Sequence, residues 1–140
     1  MTTAIDTNVI VALWDPNESL SSVANSALYA ALGRGRLVIS APVFAELMAV
    51  PRRSEAFLDG FLHDTSISVD WNLDESIWRT AGRAFQAYGV RRRRNRDAGP
   101  RRILADFVIG AHALKRDCRF LTLDEGLYRA AFPQLDIQSI

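Results

Sequence analysis

Short unbroken apolar runs alternate along the chain with longer stretches whose apolar residues fall three or four apart, the pattern of buried strands interleaved with helices. The run over residues 3–13 is broken at its centre by Asp6, Thr7 and Asn8. Three polar side chains inside a core segment are costly to bury without partners. The simplest arrangement is a short strand ending at Asp6 and a helix over 9–14, with Thr7 or Asn8 near its cap. Asp6 then points out of the carboxyl end of a strand, where open α/β sheets place their ligand crevices. It reads equally well as a turn or capping residue.

Leu20, Val23, Ala24, Ala27, Leu28 and Ala31 have helical spacing, and Gly33 is placed to stop that helix. Leu37, Val38 and Ile39 follow as a buried strand, so strand, helix and strand predict a parallel crossover. A further helix lies between Pro42 and Pro51. Glu46 is its only charge, and it either occupies one solvated stripe or serves a site. Residues 54–62 predict a helix with Phe57, Leu58, Phe61 and Leu62 inward and His63 exposed at its frayed end. After a third strand over 67–69, Asp74 caps a helix with Ile77, Trp78, Ala81, Phe85 and Tyr88 on its core side.

Over 103–114, Ile103, Leu104, Phe107, Ala111 and Leu114 form an inner stripe. Asp106 borders it beside Gly110 and Ala113, small residues that leave room for an ion and a phosphate. His112 points away from Asp106 and reads as a structural or surface histidine. Residues 120–123 predict another strand, with Asp124 at its exit, a helix over 127–132 closed by Pro133, and a last strand within 135–140. Alone, Asp124 reads as a helix cap.

Composition narrows the function classes. The chain has 140 residues, 49% apolar and 24% charged, which predicts a single soluble domain spanning 1–140. A net charge of +1 argues against a general polyanion binder. The lone Cys118 provides no disulfide framework and suits a reducing cytoplasm. Neither a signal peptide nor a membrane span fits the acid-bearing first run. Positive charge is concentrated in 91–102, where Arg91, Arg92, Arg93, Arg94, Arg96, Arg101 and Arg102 face only Asp97. The stretch reads as a solvated loop or frayed helix end, either a bland solvated face or a track for a phosphate backbone, and the lack of balancing acids favours the second.

Asp6 and Asp124 thus sit at two strand exits, and Glu46 and Asp106 on helices, with no His/Cys cluster or Gly-rich phosphate loop. All-oxygen donors select hard cations such as Mg²⁺ or Mn²⁺. Hydrolysis of a phosphodiester with such an ion needs little else.

Together, Ile5-Asp6-Thr7-Asn8, Glu46, the run from Ala105-Asp106-Phe107 to Gly110-Ala111-His112-Ala113, and Leu121-Thr122-Leu123-Asp124 resemble the PIN-domain family, and within it the VapC ribonuclease toxins. Arg129, Phe132-Pro133 and Leu135 add to the likeness, which covers essentially the whole chain. The resemblance implies a three-layer α/β/α fold with a five-stranded parallel sheet of order 3-2-1-4-5. It implies metal-dependent endoribonuclease activity, with Asp6, Glu46, Asp106 and Asp124 as the catalytic acids. Asp6, Asp106 and Asp124 would be the metal ligands, and Thr7, Asn8 and Thr122 would orient them. It further implies a cognate antitoxin and a homodimer. Two other classes remain: an aspartate-based phosphatase, for which Lys115 is badly placed, and a non-catalytic RNA- or protein-binding module.

Overall fold

The computed structural model describes every residue except Glu18, Asp97 and Ala98. Asp97, the single acid expected to oppose the arginine-rich stretch, therefore lies outside the described residues. The described residues form a parallel five-stranded sheet of order β3-β2-β1-β4-β5, as the resemblance implies. Strand β1 (Thr2–Ile5) connects through helices α1 (Thr7–Trp14) and α2 (Leu20–Arg34) to β2 (Arg36–Ser40). Helices α3 (Ala41–Met48) and α4 (Glu55–Asp64) carry the chain to the edge strand β3 (Ile67–Asp70). It then returns through α5 (Glu75–Arg94) and α6 (Leu104–Lys115) to β4 (Arg119–Thr122), on the other side of β1. Helix α7 (Glu125–Ala131) and β5 (Ile137–Ser139) complete the sheet.

This order makes the junction of β1 and β4 the place where the winding reverses, the position at which open α/β sheets place their ligands, outside the strands' carboxyl ends. Thr3, Ala4 and Ile5 of β1 are all buried, as expected for a central parallel strand covered on both faces. No helix among the described residues is long and apolar enough to cross a membrane.

Several elements depart from the sequence expectation. Helix α1 starts at Thr7, not Val9, and its cap is Asp6 itself. Helix α2 runs through Gly33 and ends at Gly35, where φ is 156°. A Cβ on Gly35 would lie 1.8 Å from the Met1 carbonyl oxygen. That oxygen accepts from Arg36 N at 3.0 Å and starts the β1–β2 pairing, so glycine is required there and not at position 33. Ala24, Leu28 and Ala31 form the buried side of α2, whereas Leu20 and Val23 are exposed. On α4, Leu58 and Leu62 are buried, while Phe57 is exposed and meets Trp14 edge-on at 5.2 Å. His63 is exposed, as expected.

Helix α5 buries Ile77, Ala81 and Ala84, but Trp78 turns outward. Helix α6 is buried on every side from Phe107 to Ala113, because it packs against α3, α5 and β4 at once. Ile103 and Leu104, expected on its inner stripe, are exposed where the helix begins. His112 is structural: it is almost fully buried, and its Nε2 lies 2.9 Å from Asp70 Oδ2 at the end of β3. Arg116 donates to the same oxygen at 3.0 Å and to Asp74 at 3.3 Å. Burial raises the Asp70 carboxyl, but the bonds from His112, Arg116 and the Asn72 N–H outweigh it and hold it low.

Candidate active site

Among the described residues, Asp6 is the one buried acid. It leaves β1 with its backbone N–H bonded to Leu121 O at 2.9 Å, which anchors it to the end of β4. Its Oδ1 accepts from Thr7 N at 2.8 Å and its Oδ2 from Thr122 Oγ1 at 2.8 Å. Only 5% of the residue is exposed. Burial raises its pKa to about 6; the bonds from Thr122 and Thr7 oppose that shift, and the charges of Asp106 and Glu46 add to it. Capping and site geometry are therefore compatible in one residue.

The neighbouring polar groups form a short scaffold. Thr7 Oγ1 donates to Glu46 Oε1 at 2.6 Å, tying α1 to α3. Asn8 Oδ1 accepts from Leu123 N at 3.1 Å, tying α1 to the exit of β4. Thr122 is fully buried; while donating to Asp6 it accepts from Asp124 N at 2.9 Å. A hydroxyl used in both directions fixes the spacing of the two strand-exit acids.

Asp124 stands at the cap position of α7 but makes no side-chain cap bond. Its carboxylate is taken by Arg102, whose Nη1 donates to Oδ2 at 2.7 Å. Asp106 lies half-buried in the first turn of α6. Burial raises its pKa and Asp124 adds to the rise; a hydrogen bond with the Ile103 backbone and the Arg102 charge oppose it.

Tyr128, which sequence reasoning passed over, reports on all four acids. Its phenol is pushed far up by burial and then by Asp6, Asp106, Asp124 and Glu46. The only sequence signal was a tyrosine one turn beyond Asp124. The four carboxylates thus share one electrostatic neighbourhood. Among the described residues, however, no three ligating groups close on a single point: Thr7 holds Glu46, and Arg102 holds Asp124.

Gly110 has a different role from the expected one. A Cβ there would lie 2.4 Å from Phe132 Cε2 and 3.0 Å from Tyr128 Cδ1. The space beside it belongs to two buried rings and not to an ion.

The arginine-rich stretch is only partly a loop. Arg91, Arg92, Arg93 and Arg94 form the last turn of α5, where cations complement the helix dipole. Arg92 donates to the Gly99 carbonyl and, at 3.4 Å, to the Pro100 carbonyl. Arg96 and Arg101 are exposed, and Arg102 reaches into the acid site.

A family model described as PIN domain matches residues 3–133. The chain belongs to the PIN-domain family. PIN domains are generally nucleases, and divalent metal ions are their general cofactor. No curated protein matches the chain. Among solved structures, VapBC-1 from nontypeable Haemophilus influenzae has a TM-score of 0.68 at 22% identity, covering 99% of this chain and 98% of that one. VapBC2 from Rickettsia felis bound to a DNA fragment from its promoter gives 0.67 at 17% identity, with 99% and 98% covered. A toxin–antitoxin complex from Klebsiella pneumoniae gives 0.68 at 18% identity, with 97% and 95% covered. At these identities the likeness is one of PIN fold.

In its chemistry, though not in a closed three-ligand geometry among the described residues, the donor set suits the family's ion. It is made of carboxylate oxygens, with no thiolate and no imidazole, since His112 is committed to Asp70. Asp6 is a buried anion whose two hydrogen bonds do not offset its burial and its acidic neighbours, and a cation would.

Proposed function

We propose that this PIN domain is a Mg²⁺- or Mn²⁺-dependent endoribonuclease and acts as the toxin of a bacterial toxin–antitoxin pair. The observation that carries the reading is the buried, raised Asp6 at the β1–β4 junction, sharing one electrostatic field with Glu46, Asp106 and Asp124. Asp6, Asp106 and Asp124 would hold the ion. When bound, it polarises the phosphoryl oxygen and lowers the pKa of a water. Thr122 keeps Asp6 and Asp124 in register, and Asn8 holds Leu123 at the exit of β4, next to Asp124. Glu46, oriented through Thr7, has its second oxygen, Oε2, to accept a proton from the attacking water. A site rich in carboxylates is also a natural dock for an arginine or lysine of an antitoxin. The solved toxin–antitoxin complexes of the same fold support that partner, and the proposal includes a two-fold dimer as the commonest closed assembly.

A substrate panel tests the reading: single-stranded RNA, DNA of the same sequence, and p-nitrophenyl phosphate, each with Mn²⁺. RNA cleavage alone is the expected result. Turnover of the small phosphoester would favour an aspartate-based phosphatase, and no turnover of any substrate would favour a binding module.

The arginines supply the second expectation. Arg92 clamps loop carbonyls, so Arg91, Arg93 and Arg94 are better candidates for an RNA backbone. Replacing these three with alanine should flatten the salt dependence of RNA affinity by about 0.7 in log–log slope per lost phosphate contact. Fluorescence anisotropy between low and moderate salt measures it. An unchanged slope would assign the stretch to another partner.

A further inference from the structure

The carboxylate site contains a feature that nuclease chemistry leaves unexplained: a guanidinium standing on one of its acids. It arrives there through a built strap. Arg92, in the last turn of α5, holds the carbonyls of Gly99 and Pro100. Two residues on, Arg102 N donates to the Tyr88 hydroxyl at 2.9 Å. The backbone is thus held on either side of Arg101, and the Arg102 side chain reaches Asp124, just beyond the end of β4. Its Nη1 meets Asp124 Oδ2 at 2.7 Å, with Nη2 at 3.5 Å from Oδ1. Its charge also acts on Asp106. One resident cation therefore bears on two of the three acids assigned to the ion.

We propose that Arg102 is a built-in counter-ion of the metal site, occupying Asp124 until a divalent cation displaces it. The inference rests on the metal-nuclease reading above. Its physical basis is the repulsion among converging carboxylates, which a nearby guanidinium relieves. An ion on Asp124 would place two cations on one carboxylate, and like charges that close repel each other. Arg102 is suited to leave. Its side chain is 44% exposed, so the pair is a weak, exchangeable one. Its anchor to Tyr88 is through the backbone, so exchange requires side-chain rotation only. The side chain also borders a recess of about 230 Å³ lined by Arg91 and Arg92. Those neighbours disfavour a guanidinium resting there, so Arg102 returns to Asp124 when the ion dissociates.

Mn²⁺ binding followed by electron paramagnetic resonance tests the exchange, with Arg102→Gln, Arg102→Lys and, as a control for net charge, Arg101→Gln. Arg102→Gln should bind Mn²⁺ about 2- to 5-fold tighter than wild type, the range expected for removing a partly exposed ion pair. Arg102→Lys should fall between the two, and Arg101→Gln should match wild type. In parallel, the Arg102 Nε–H resonance, identified by its loss in Arg102→Gln, should shift on saturation with Mg²⁺. Equal or weaker Mn²⁺ binding by Arg102→Gln, with wild type binding normally, would overturn this inference and leave the metal site standing. Absence of Mn²⁺ binding by every variant would overturn the metal reading and the inference with it.

Discussion

Asp6→Asn should lower RNA cleavage by at least ~100-fold and, in the absence of metal, make the protein harder to unfold. On the proposed mechanism the loss follows from removing one of the charges that would hold the ion, because electrostatic and metal contributions dominate such barriers. The gain follows from the same burial. In the folded chain the Asp6 pKa is raised to about 6 from an ordinary value of 3.8. The folded state therefore holds a proton that the unfolded chain has released, and ionising Asp6 above pH 6 opposes folding. A shift of that size corresponds to about 2 to 3 kcal/mol. The asparagine variant should show a stability gain of this order at pH 8 in EDTA. The gain should fade as pH falls through 6 toward 4, where wild-type Asp6 is itself protonated. Urea unfolding at pH 8 and pH 5 measures both arms. A variant less stable than wild type at pH 8 would mean that the bonds from Thr7 and Thr122 outweigh the burial of charge.

Gly110→Val should cost about 3 kcal/mol, through overpacking against the rings of Phe132 and Tyr128. Both rings are buried, and Tyr128 is packed edge-on against Phe120 at 4.7 Å, so the added methyl groups force a shift of packed ring atoms. The melting temperature should fall by roughly 10 °C for a chain of this length. Adding Phe132→Ala should recover part of the loss, since it removes the atoms that a Cβ would meet. If Gly110 were small to admit an ion instead, the single variant would melt like wild type and only Mn²⁺ affinity would suffer.

That contrast marks the limit of what the sequence made legible. The parallel crossovers, the strand exits bearing Asp6 and Asp124, and the helices bearing Glu46 and Asp106 could be read from apolar spacing and turn residues. The strand order came from the family resemblance, because spacing along a chain does not say which strands are neighbours. Positions that depend on a third element were missed. Gly33 looked like the stop of α2, but the approach of Met1 to Gly35 decides it. Leu20, Val23, Ile103 and Leu104 fit a helical stripe, yet packing uses only the middle of each helix. Trp78 carries the right spacing and still faces outward.

At the site, residue types were legible and their partners were not. Thr7, Asn8 and Thr122 were expected beside the acids, and each makes a hydrogen bond linking two elements of the site. Nothing in the arginine run distinguished Arg102, which meets Asp124, from Arg92, which grips the loop. A dense run of one charge conceals the geometry of its members. Asp106 carries a related expectation: Asp106→Asn should also melt higher than wild type in EDTA and gain less from Mg²⁺, since it belongs to the same repelling set.

The most direct test of the account is RNA cleavage by the purified chain, stripped of metal and then supplied with Mg²⁺ or Mn²⁺. The stripped protein should be inactive, either ion should restore cleavage, and neither should restore it to Asp6→Asn. Undiminished cleavage by wild type in excess EDTA would contradict the account.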